Sequence, residues 1–220
     1  MGMRGLRRLT GVSGIVGAVL ISTAFFGGTP PGIDDSGRAV LAYAADHRTF
    51  VLVFFFLDGI ATCLMLLFFA GLRHLLAVPQ QPERDVWSSA MFASALAVFT
   101  LGIAGQACAT ALAFRADSQT PDAARTLWDL FVVLVGASNL LTIILGVAAA
   151  VAIALSPQFP RWLAVGAGVF AAAHLGATVS WARSGAFSQT GVFTILAPVL
   201  YLAWVVAVGV VLLRTRNAPD

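Results

Sequence analysis

At 220 residues, 59% of them hydrophobic and only 10% charged, the chain carries well under half the charge of a water-soluble domain, about 25%, and a soluble globular fold is excluded. The net charge of +3 rests on 13 arginines and no lysine, an excess that suits anionic lipid headgroups and not nucleic acid. Arg4, Arg7 and Arg8 are too few, and too close to an apolar run, to form a nucleic-acid patch.

Six apolar runs approach the ~20 residues that an α-helix needs to cross a bilayer. The expected spans are Leu9 to Phe26, Phe50 to Leu72, Trp87 to Phe114, Leu127 to Leu155, Trp162 to Trp181 and Gly191 to Leu213. Between them Pro, Gly and charged residues gather, as they must where lipid cannot satisfy backbone or charge. The fold class expected is all-α: a polytopic membrane protein, a bundle of six transmembrane helices forming a single transmembrane domain over 1–220. The start, MGMRGLRR before an apolar run, resembles a secretory signal, but Phe25 and Phe26 stand where small residues would be wanted, so the run is expected to remain as a helix.

The longest break, Gly27 to Thr49, contains Asp35 to Arg48, which reads as a short amphipathic outer helix capped by Asp35 or Ser36. Val40, Leu41, Tyr43 and Ala44 would face the bundle top or the membrane surface, making the helix either a lid or a packing element. With the N-terminus in the cytoplasm, eight arginines (4, 7, 8, 73, 84, 161, 214 and 216) fall inside and five (38, 48, 115, 125 and 183) outside. Both termini are therefore expected in the cytoplasm. Trp87 and Trp162 then mark inner ends of spans and Trp128 and Trp181 outer ends, while Trp204 is mid-span. Arg115, Asp117, Asp122 and Arg125 are read as solvated loop charges. Exclusive use of arginine and the abundance of Ala, Gly and Val are read as bacterial codon bias, with the plasma membrane as the expected location.

The Arg-rich start, the first span, the Pro30-Pro31-Gly32 turn and the segment Ala42-Tyr43-Ala44-Ala45-Asp46-His47-Arg48 resemble a broad group of uncharacterised six-helix bacterial integral membrane proteins of unknown function. The resemblance covers the first third of the chain and brings no catalytic residue with it.

Polar side chains inside spans are costly and need a partner or a purpose. At ~1.5 Å per residue, Asp58 and Gln106 lie roughly 12 Å from the outer ends of their expected spans, His174 roughly 10 Å and Asn139 roughly 18 Å. Asp58, Gln106 and His174 are thus expected in one layer, with Asn139 just beneath. Each has small or polar company at helical spacing: Thr62; Gly102 and Thr110; Thr178; and Gly136, Thr142 and Gly146. Either the four satisfy one another's hydrogen bonds and only hold the bundle together, or they line an outward-opening pocket. In the pocket reading Asp58 binds a cation or proton, and Gln106, Asn139 and His174 orient a small lipophilic or weakly polar molecule that is bound or transported. A membrane enzyme acting on a lipid or isoprenoid would instead use Asp58 as general acid with His174 as its partner. A structural or assembly subunit without chemistry is the third alternative.

Other chemistry is not expected. Cys63 and Cys108 lie in apolar runs without a CxxC pattern and read as small core residues. His47, His74 and His174 fall at three levels, unsuited to a bis-His haem, and no zinc, phosphate-loop, nucleophile-elbow, kinase or dinucleotide motif is present. No cofactor and no metal are expected; the expected partners are membrane lipids and a small lipophilic ligand. Gly11, Gly14 and Gly17 are read as close-packing positions, and Pro198 as a kink in the last span.

Overall fold

A computed structural model describes residues 2–28, 30–77, 81–179, 182, 185–188 and 191–214. Seven α-helices are found among them: α1 (Met3–Ser22, running into a 3-10 turn at Thr23–Phe26), α2 (Gly37–Asp46), α3 (Arg48–Leu76), α4 (Pro82–Phe114), α5 (Pro121–Ala154), α6 (Arg161–Thr178) and α7 (Val192–Arg214). Their starts carry ordinary helix signals. Ser36 accepts a hydrogen bond from Ala39 N at 3.3 Å, and Thr120 one from Ala123 N at 3.3 Å. Pro82 and Pro121 occupy first-turn positions where no N–H is needed.

The six long helices form a closed ring in chain order. Each packs on its successor, and α7 returns to α1. Both described chain ends lie at one end of this ring, the terminal end, where Arg7 bonds Gln158 and Arg84 bonds Ser156. The short α2 lies at the opposite end, against α5, α4 and α3. α1, α3, α4, α5 and α7 are long and apolar enough to cross a membrane, and the chain is a multi-pass helical membrane protein. Six spans were expected, and five are found on this measure among the described residues. The expected span from Trp162 to Trp181 is α6, which stops at Thr178; its 18 residues reach ~27 Å, short of a ~30 Å hydrocarbon core, and include Arg161 and His174. Trp181 lies outside the described residues.

Several expectations are corrected. α4 and α5 begin five and six residues before the expected spans, taking Glu83, Arg84 and Asp85, and Asp122 and Arg125, into helix. Acidic groups in a first turn suit the positive end of the helix dipole, so charge there does not end a helix. Asp129, inside the expected fourth span, is neutralised by Arg125 at 2.6 Å. Ser36 alone caps α2; Asp35 instead accepts from Gly32 N at 2.6 Å. Cys63 is exposed on the ring's outer surface and Cys108 is half-buried, so neither is a core residue. Trp128 is 6% exposed: it turns into the ring instead of toward lipid.

The terminal half is tightly packed. Gly71 lies against Thr10, Gly14 against Phe68, Gly17 against Met65 and Gly11 against Gly209, so α1 approaches α3 and α7 closely enough that a methyl group at Gly71, Gly14 or Gly11 would overlap its neighbour, and one at Gly17 would press on the Met65 side chain. Met65, Phe68, Phe69, Leu72, Met91, Phe170 and Val205 fill the centre behind them. Trp204, the mid-span tryptophan, meets its hydrogen-bonding need by donating to Leu163 O at 2.8 Å. Toward α2 the packing loosens. From Arg48 to Ile60 only Phe54 of α3 is buried, and from Asp129 to Leu141 no residue of α5 is. A small separate cluster, Val40 and Ala44 of α2 with Leu112, Ala124 and Trp128, closes that end.

Candidate functional site

The loosely packed half contains two adjoining clefts, divided by Trp128 and Phe131 of α5. These rings are 5.1 Å apart. One cleft, about 220 Å³, lies between α5 and the facing ends of α6 and α7; Val135, Gly136, Asn139, Ala177 and Thr194 line it. The other, about 190 Å³, lies beneath α2 and is lined by Tyr43, Phe50, Phe54, Gln106 and Ala109. Pro30, Trp128 and Phe131 belong to both.

The roof is the segment from Gly27 to Ser36 together with α2, and it is tied to α5 by side chains. Arg125 donates to three carbonyls of the loop, Gly32 and Ile33 at 3.0 Å and Asp35 at 2.9 Å, and is itself held by Asp129. Trp128 Nε1 donates to Pro31 O at 3.2 Å, and the Tyr43 hydroxyl to Gly27 O at 3.0 Å. Tyr43 stacks on His47 at 4.3 Å and meets Trp128 edge-on at 5.8 Å. Burial holds its phenol above the ordinary tyrosine range, and so neutral. Gly37 sits so close to the Pro121 carbonyl that no side chain fits between them. The loop charge Arg125, expected to be solvated, is therefore the clamp of the roof: five N–H donors in a rigid fork suit a cluster of carbonyls.

The four expected site residues separate. Gln106 and Asn139 line the clefts, one in each. Asp58 lies on the stripe Phe54, Ala61, Met65 and Phe68, whose spacing of three and four turns it toward the ring interior. Arg73 bonds Ser89 and Phe69 faces Phe99, an antiparallel register that sets Asp58 level with the turn around Gln106. Gly105 faces Leu134 and Val135, whereas Gly146 faces Phe170 and Ala171. Asn139 is thus about a turn nearer the terminal end than Gln106, level with Ala177, and His174 is about a turn further still. Asn139 thus lies beneath Gln106, and His174 lies lower still instead of level with Asp58 and Gln106, because α6 ends earlier than the apolar run suggests.

The four do not satisfy one another. Among the described residues the side chains of Gln106 and Asn139 have no hydrogen-bond partner, and the half-buried Asp58 has neither hydrogen bond nor ion pair. His174 is buried and donates from Nδ1 to Phe170 O at 2.8 Å, leaving Nε2 as a free acceptor. It packs against Phe170 and Tyr201, at 6.0 and 6.3 Å between ring centres. No hydrogen bond or ion pair joins Asp58 to His174, the pair that general-acid chemistry would need. His47 bonds Tyr43 O at 3.0 Å at the α2–α3 corner, and no group of three metal-ligating side chains occurs among the described residues.

Trp128, Phe131, Tyr43 and Arg125 are functional candidates that sequence reasoning passed over. The available signal was the spacing Arg125, Trp128, Asp129, which sets cation, indole and carboxylate on one helix face opposite a Pro-Pro-Gly turn. No family model, no curated protein and no solved structure matches the chain.

Proposed function

We propose that this membrane protein binds a small lipophilic or weakly polar molecule in the clefts at its α2 end, packed against Trp128 and Phe131 and oriented by the amide of Gln106 in one cleft and of Asn139 in the other. The observation that carries the reading is the pairing of an aromatic, loosely filled space with two amides that have no partner of their own. Ligand sites are mostly apolar with a few polar groups that fix orientation, and each hydrogen bond a ligand makes to one of these amides contributes about 0.5–1.5 kcal/mol. In this reading α6 is the sixth crossing. The termini face the cytoplasm, an orientation supported by Arg4, Arg7, Arg8, Arg73, Arg84, Arg161 and Arg214 at the terminal end. The clefts then open toward the outer leaflet of a bacterial plasma membrane.

Purification of the full chain in lipid nanodiscs, followed by solvent extraction and mass spectrometry, tests this. The wild type is expected to retain a small molecule other than bulk lipid. The variant carrying Gln106→Leu and Asn139→Leu, which keeps the volume and removes both amides, is expected to retain about tenfold less at unchanged Tm. Equal retention by both contradicts the proposal.

A further inference from the structure

The terminal end holds a second site of different chemistry, independent of the α2-end clefts. Arg84, third residue of α4, is 5% exposed, yet no carboxylate pairs with it among the described residues. Its Nη1 donates to Gln81 Oε1 and its Nη2 to Ser156 Oγ, both at 3.1 Å and both neutral, while Nε is buried with no partner. A buried guanidinium without a counter-charge is among the costliest arrangements a protein can hold. Two of its five N–H donors are used.

Arg84 lines a cleft of about 230 Å³ with Gln81, Pro82, Glu83 and Leu155. The cleft adjoins the first turn of a long helix, whose dipole favours an anion there. The terminal end as a whole has the same sign: Arg4, Arg7, Arg8, Arg73, Arg161 and Arg214 stand on helix ends there, against Glu83 and Asp85. Asp85 is within 3.8 Å of Arg73. Glu83 is the one carboxylate on the cleft wall and opposes an anion. The cleft sits at the first turn of α4, a helix long and apolar enough to cross a membrane, and Leu155 gives it an apolar side.

We propose that this cleft binds the phosphate of an anionic phospholipid, with the fork of Arg84 supplying the missing charge-assisted hydrogen bonds. Native mass spectrometry of the full chain, offered equal amounts of phosphatidylglycerol and phosphatidylcholine in detergent, tests it. The wild type is expected to favour phosphatidylglycerol by about tenfold, the effect of one or two charged hydrogen bonds. Arg84→Gln is expected to bring the two lipids to parity. Arg161→Gln, an exposed arginine at the same end, should leave the preference intact, and Glu83→Gln should strengthen it. If Arg84→Gln does not fold, Arg84→Lys, which keeps the charge and loses the fork, serves instead, with a weakened preference expected. Equal binding of both lipids by the wild type, or an unchanged preference in a folded Arg84 variant, overturns the proposal. Displacement of phosphatidylglycerol by excess inorganic phosphate would identify a free-phosphate site and overturn the lipid assignment.

Discussion

Gly71 and Gly59 sit in the same helix and have opposite roles. A methyl group at Gly71 would run into Thr10, whereas one at Gly59 would meet nothing. Gly71→Ala is therefore expected to cost about 1–3 kcal/mol, as overpacking of a filled interface does. Gly59→Ala is expected to leave stability unchanged or raise it by up to about 1 kcal/mol, through reduced backbone freedom; thermal unfolding in one detergent compares the two. A larger loss at Gly59 than at Gly71 would contradict the close approach of α1 to α3. Arg125 makes a different point at the same scale. Its value lies in three carbonyls of one loop and not in surface charge, so Arg125→Ala should speed amide hydrogen exchange across 32–36 while leaving the terminal half protected. Unchanged exchange in that segment would show that the clamp is dispensable.

At the scale of elements, α2 is held by few contacts, and Val40 and Ala44 carry its packing on Leu112, Ala124 and Trp128. Val40→Asp places a charge in this small cluster and is expected to release α2 without unfolding the ring, read as new protease sensitivity between α1 and α3 with helical content retained. Global unfolding would show that α2 is part of the core instead. The long helices were legible in the sequence because hydrocarbon tolerates few residue types. Their ends were not. The first turns of α4 and α5 carry charge and look like loop, but the chain needs exactly those turns as helix to hold Arg84 and Arg125 in place. The site was legible in part for the same reason. Gln106 and Asn139 announce themselves as polar groups in apolar runs. Trp128 does not, since a tryptophan near the end of a span has the same sequence signature whether its ring faces lipid or the interior.

Across the whole molecule, the order of the ring and the contrast between its halves place the clefts, and neither was visible in the chain. Small residues occur along all the spans. Only their pairing across helices, Gly71 on Thr10 or Gly146 on Phe170, makes the terminal half dense and leaves the α2 half open. Of the two arrangements the sequence left open for the four polar side chains, mutual hydrogen bonding is not the one found: Gln106 and Asn139 line clefts, His174 bonds a backbone carbonyl, and Asp58 bonds none of the other three. That difference turns a bundle held by a polar layer into one with clefts available to a ligand. It is tested most directly by replacing Phe131 with the photo-crosslinking residue benzoylphenylalanine, using Val133, exposed on the same helix, as the lipid-facing reference. Irradiation in native membranes, followed by intact-mass analysis, is expected to give a discrete small-molecule adduct at 131 and only phospholipid adducts at 133. Identical adducts at both positions, or none at 131, would contradict an occupied cleft.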